Sequence, residues 1–117
     1  MPAWAYRYFG DWDNIRLYPT SGAYHGTETE MIFGNSGAVS GIPPSQAEVQ
    51  LSRLMQRAWA AFADDPKQGL SRFGWPKYDP QGETLVRLGY ENSATPTFVA
   101  PSLYDAQCPS ETLGVNG

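Results

Sequence analysis

Gly22-Ala23-Tyr24-His25-Gly26-Thr27-Glu28-Thr29-Glu30-Met31-Ile32-Phe33-Gly34 holds the only histidine of the chain. Glycine reaches positive φ without a steric penalty and lets other groups approach the backbone closely. A histidine between Gly22 and Gly26 therefore reads as an imidazole presented at a fixed point by a tight loop. Two carboxylates, Glu28 and Glu30, follow it. By residue type alone, a lone histidine on a loop is more often a solvated bystander than a catalyst.

Upstream of this loop, Ala3-Trp4-Ala5-Tyr6-Arg7-Tyr8-Phe9 reads as a mostly buried strand. Its alternation puts Trp4, Tyr6 and Tyr8 on one face and Ala5, Arg7 and Phe9 on the other. Between strand and loop, residues 10–24 form a long connection rich in Asp, Asn, Pro, Thr, Ser and Gly, and connections of that length are often functional. Downstream, Gly34 to Pro44 reads as a surface loop of glycine and proline. Ser45 and Glu48 then stand as a capping box that opens a helix. Leu51, Leu54, Met55, Ala58, Trp59 and Phe62 follow at helical spacing and form an apolar stripe ending at Asp64-Asp65-Pro66. Such a stripe reads as core packing rather than as a cofactor box. Beyond a turn-rich link, Gly74-Trp75-Pro76-Lys77-Tyr78-Asp79-Pro80, the segments Thr84 to Leu88 and Thr97 to Val99 are strand candidates suited to a hairpin. The tail from Pro101 reads as irregular surface chain.

With 117 residues, the chain is bounded to one domain at most. Hydrophobic residues at 41% and charged residues at 17% fit a packed core better than a disordered segment. The net charge of −4, with 8 Lys and Arg scattered along the chain, gives no surface for neutralising phosphates, so nucleic acid is not expected as a partner. Apolar runs fall short of the roughly 20 residues that span a bilayer, and the first residues do not read as a signal peptide. Localisation is otherwise unreadable. Cys108 is the single cysteine, so no disulfide forms within the chain; it is either an idle thiol or pairs with a cysteine outside this chain.

Two other chemistries find little support. Metal binding by His25 with Glu28 and Glu30 is not expected, because protein zinc sites draw on several well-placed His, Cys or carboxylate ligands, and no cofactor motif is present. The nearest approach to a Gly-x-Ser-x-Gly nucleophile elbow is Gly34-Asn35-Ser36-Gly37-Ala38, where the last glycine is displaced and no strand leads into the turn.

Taken together, several segments resemble the type-B carboxylesterase, lipase and cholinesterase family. These are Tyr6-Arg7-Tyr8-Phe9, the loop Gly22 to Gly34, Ala58-Trp59-Ala60-Ala61-Phe62-Ala63-Asp64-Asp65-Pro66, Gly74-Trp75-Pro76-Lys77-Tyr78-Asp79 and Tyr104-Asp105-Ala106-Gln107-Cys108, in the pattern of fungal esterases. A Gly-x-x-His-Gly-x-Glu loop, a Trp-x-x-Phe helix and a Trp-Pro-x-Tyr turn in this order are far more specific together than singly. Thr29 departs from the apolar residue more usual after the glutamate.

The resemblance implies an α/β fold, with residues 1–117 as the incomplete, C-terminal part of an α/β-hydrolase domain. It implies that His25 is the general acid/base of a Ser-Glu/Asp-His triad whose serine and acid lie outside this chain. Glu28, Gly22 and Gly26 are then expected to support the site from behind, Glu28 as a member of a hydrogen-bonded network and not as the triad acid. The substrate would be a small-molecule or lipid ester, with no cofactor, and the chain alone would be inactive. Complete relatives are often secreted. Two other readings remain open: a non-catalytic cholinesterase-like binding or adhesion relative, and an independent small binding module.

Overall fold

A computed structural model describes residues 1–106; Cys108 lies outside the described residues, so its expected pairing is not tested there. Three short strands form one sheet. Strand β1 (Ala5–Tyr8) runs parallel to β2 (Leu85–Leu88), and β2 pairs antiparallel with β3 (Thr97–Val99), in the order β1-β2-β3. The hairpin read from the sequence is present. The parallel pairing of β1 was not anticipated. It sets Tyr6 beside Val86, Arg7 beside Arg87 and Tyr8 beside Leu88, and the Phe9 N–H extends the ladder to the Leu88 carbonyl at 2.8 Å.

Helix α1 (Thr29–Phe33) follows the histidine loop, and α2 (Ser36–Ser40) follows α1. The stretch from Gly34 to Pro44 is thus partly helical rather than a plain loop. Gly34 and Gly41 each adopt left-handed conformations that stop one helix and then the next. Helix α3 (Gln46–Asp64) begins where the sequence places it, with the Ser45 hydroxyl accepting the Glu48 N–H at 3.2 Å. The other half of the capping box departs from expectation: the Glu48 side chain turns inward, is 2% exposed, and leaves Oε2 without a hydrogen-bond partner.

Leu51, Met55 and Ala58 of α3 are fully buried together with Met31 of α1 and Val86 and Leu88 of β2; Trp12, Leu70 and Trp75 complete this core. The stripe weakens toward the end of the helix. Trp59 is half-buried and Phe62 is 45% exposed. Edge-to-face contacts hold them to β1, Trp4 with Phe62 and Tyr6 with Trp59, at centroid separations of 6.2 and 5.1 Å.

The face division of β1 is therefore as read, Trp4, Tyr6 and Tyr8 toward α3 and Arg7 and Phe9 away. Its burial is not. Tyr6 and Arg7 are exposed, because β1 is the edge of the sheet and no described strand covers its outer side.

After α3, Asp65 stops the helix and accepts backbone N–H groups from Lys67 and Gln68, while Arg72 of α4 (Gly69–Phe73) donates to its Oδ2 at 2.8 Å. Gly69 is demanded by space, since a side chain there would collide with the Ala61 carbonyl of α3. The link that follows is strapped onto β1. Trp4 Nε1 donates to the Trp75 carbonyl at 3.2 Å, and the Tyr78 N–H donates to the Ala3 carbonyl at 2.7 Å. A short helix, α5 (Ser102–Asp105), stands where an irregular tail was expected. Among the described residues no helix is long and apolar enough to cross a membrane.

Leu51→Ala is expected to lower stability by about 2–5 kcal/mol, and Phe62→Ala by clearly less, because only the first empties a closed core. Urea unfolding of the two variants beside the parent chain checks the order.

Candidate functional site

The backbone around His25 is built from two left-handed turns. Gly22 has φ +58° and Gly26 φ +83°, and neither would meet a neighbouring atom if given a side chain. Conformation, not lack of room, makes these positions glycine. Between them the Thr27 N–H donates to the Tyr24 carbonyl at 3.0 Å and the Thr29 N–H to the Gly26 carbonyl at 3.1 Å, which coils the loop directly into α1.

Two hydrogen bonds and one buried side chain anchor this coil. The Tyr24 hydroxyl donates to the Ile15 carbonyl at 2.6 Å and ties the loop back to the long connection. Thr27 is buried at 2% exposure. At the far end of α1, Ser52 of α3 donates from its hydroxyl to the Met31 carbonyl at 2.5 Å, beside the fully buried Met31 side chain. His25 itself is exposed, and among the described residues no hydrogen bond reaches its imidazole.

Glu28 stands at the start of α1, half-buried, and its carbonyl accepts the N–H groups of Met31 and Ile32. Its charge is felt on β1. Burial pushes the Tyr6 hydroxyl above its ordinary pKa, and the Glu28 carboxylate adds to that rise. The Tyr8 hydroxyl is also pushed up by burial; a hydrogen bond from Trp12 Nε1, at 2.7 Å, works against the rise, while Glu48, Glu28 and Tyr24 add to it. The Glu28 charge is thus sensed by two tyrosines on the α3 side of the strand, in each case behind burial as the larger cause. The structure does not bring Glu28 and His25 into a hydrogen bond.

Ser36, the serine of the imperfect elbow pattern, is buried in α2 with no strand leading into it. It has none of the exposure a nucleophile needs. Glu30 is half-buried in α1, and among the described residues no group of three His, Cys, Asp or Glu side chains is placed to hold a metal ion.

The Tyr24 anchor and the inward turn of Glu48 were missed from sequence. Neither carries a local signal, since a tyrosine in a loop and a glutamate at the third position of a helix are commonplace.

The loop lies within the region matched to a known family. The profile of the Carboxylesterase family matches residues 1–108. The chain belongs to the carboxylesterase family. Secreted lipase 5 of Gibberella zeae is 36% identical over 102 residues, covering 86% of this chain and 19% of that protein. Chlorogenic acid esterase of Aspergillus niger is 30% identical over 101 residues, 74% of this chain and 20% of that one. Acetylcholinesterase of Gallus gallus is 33% identical over 99 residues, 79% of this chain and 12% of that one. This carboxylesterase chain therefore spans about a fifth or less of the length of the curated relatives it matches. No solved structure matches it.

Membership places the chain in a hydrolase family and implies the α/β-hydrolase fold, of which a small mixed sheet with flanking helices is present here.

Gly26→Ala is expected to destabilise the loop by about 1–2 kcal/mol through the left-handed backbone alone, and Tyr24→Phe by about 1 kcal/mol through the lost hydrogen bond. Thermal melts compare them; equal stability of Gly26→Ala and the parent chain would show that the turn does not hold its φ.

Proposed function

We propose that this chain is the C-terminal segment of a carboxylic ester hydrolase and that His25 is its general acid/base. One observation carries the reading: in a chain matched to the Carboxylesterase family over residues 1–108, the sole histidine stands exposed between two left-handed glycines. In the proposed reaction His25 takes the proton of a serine as the serine attacks the ester carbonyl, and returns it to the departing alcohol. Both steps suit an imidazole, which can accept a proton and give it back. The serine and the orienting acid belong to the remainder of the hydrolase.

Glu28 has a supporting part in this proposal. Half-buried at the start of α1, it adds to the burial-driven rise of the Tyr6 and Tyr8 hydroxyls, and in this proposal it contributes negative potential near the imidazolium as it forms. Gly22 and Gly26 hold the backbone that carries the imidazole. The substrate is an ester, in keeping with the names of the lipase and esterase relatives.

Expected kinetics separate these roles. In the full-length polypeptide, His25→Ala is expected to lower kcat by at least about a thousandfold. Glu28→Gln should lower it by about ten- to a hundredfold, with the fold retained. A loss below about tenfold for His25→Ala removes His25 from the reaction, and equal losses for the two variants make Glu28 the orienting acid. The 117-residue chain by itself is expected to hydrolyse a p-nitrophenyl ester no faster than free imidazole, as seen in a direct colorimetric assay.

A further inference from the structure

The face of the sheet turned away from α3 carries a feature that ester hydrolysis does not use. The register places Arg7 of β1 beside Arg87 of β2, and Arg87 beside Thr97 of β3, in a single rung across all three strands. Neighbouring strands lie about 4.8 Å apart, and like charges directly opposite each other repel. A carboxylate between them is the usual remedy. Here there is none: among the described residues the ion pairs engage Arg16 and Arg72 only, and no acidic group lies within pairing distance of Arg7 or Arg87.

Aromatic rings take the place of a counterion. The Arg7 guanidinium lies over Tyr104 of α5 at 4.7 Å and over Phe9 at 5.6 Å, and that of Arg87 over Tyr90 at 3.7 Å. Stacking engages the flat face of a guanidinium and leaves its N–H rim free. Arg87 is further oriented by donating from Nε to Thr97 Oγ1 at 3.0 Å and from Nη1 to the Tyr104 hydroxyl at 3.3 Å. Its Nη2 and the whole rim of Arg7 have no partner among the described residues. Two cations are thus held side by side, Arg87 with part of its donor rim engaged by Thr97 and Tyr104 and Arg7 with no hydrogen-bond partner among the described residues, on a chain whose net charge is −4.

We propose that Arg7 and Arg87 form a binding site for an oxyanion, a carboxylate or phosphate group bridging the two guanidinium rims. Such a group accepts paired N–H donors from planar forks and removes the repulsion within the rung. Two sources share this chemistry: an acidic side chain of another polypeptide segment, and a free phosphate or phosphoester.

The test uses the isotope-labelled 117-residue chain, titrated at constant ionic strength with inorganic phosphate and, separately, with N-acetylglutamic acid amide, against chloride alone. Saturable shifts of the Arg7 and Arg87 Nε–Hε resonances are expected. Arg7→Gln, an exposed change that leaves the core untouched, is expected to weaken binding at least about tenfold. A response to the carboxylate probe assigns the site to an acidic side chain, and a response to phosphate alone assigns it to a free phosphate group. No saturable shift with either probe, an equal shift with chloride, or undiminished affinity in Arg7→Gln overturns the proposal.

Discussion

One buried junction governs the arrangement: helix α1 is fastened to α3 by the Ser52 hydroxyl on the Met31 carbonyl and by the Met31 side chain, which is wholly enclosed. A five-residue helix has no stability of its own, because nucleation costs more than so few hydrogen bonds return. Its existence depends on α3. Since the histidine loop coils straight into α1, the position of His25 is inherited from that junction. On the other side, β1 is carried by the same helix through Tyr6 and Trp59 and by the core that Val86 and Leu88 share with Leu51 and Met55. Strand, loop and short helix are thus three attachments to one nineteen-residue rod.

This explains which parts were legible. Helix α3 was readable because its cap and its apolar period are local signals, both written within the helix itself. The strand faces were readable for the same reason, since alternation survives whatever the partner. What failed was non-local or dependent on cover. The parallel pairing of β1 with β2 joins distant segments and leaves no periodic trace in either. Helix α2 hid within a glycine- and proline-rich stretch, where two left-handed glycines act as helix stops rather than as marks of open loop.

Burial was misjudged where apolar character was read as enclosure. Trp4, Tyr6, Trp59, Phe62 and Trp75 gather at one cleft between β1 and α3, yet Tyr6 and Phe62 remain 41% and 45% exposed. Sequence patterning reports which side chains prefer to be covered, not whether the covering element is within the same chain. A chain that spans 19% of the length of a lipase relative has fewer elements to offer as cover. Among the described residues, the outer edge of β1 carries no neighbouring strand and the aromatic cleft lies along the same strand.

The candidate site divides in the same way. The glycines at 22 and 26 were legible because positive φ has a residue-type signature, and the structure realises it at both. They fix where the backbone of His25 stands. They do not fix the imidazole, whose tautomer and direction are set by whatever hydrogen bonds its other ring nitrogen. Glu28, the carboxylate nearest in sequence, makes no hydrogen bond to His25 among the described residues; its charge adds to the burial-driven rise of the Tyr6 and Tyr8 hydroxyls. On the proposed reading this is the expected division of labour: the chain sets the position of the base, and an acid from outside it sets the direction. The backbone of His25 is thus set by the two glycines, while the described residues supply no hydrogen bond that would fix its ring.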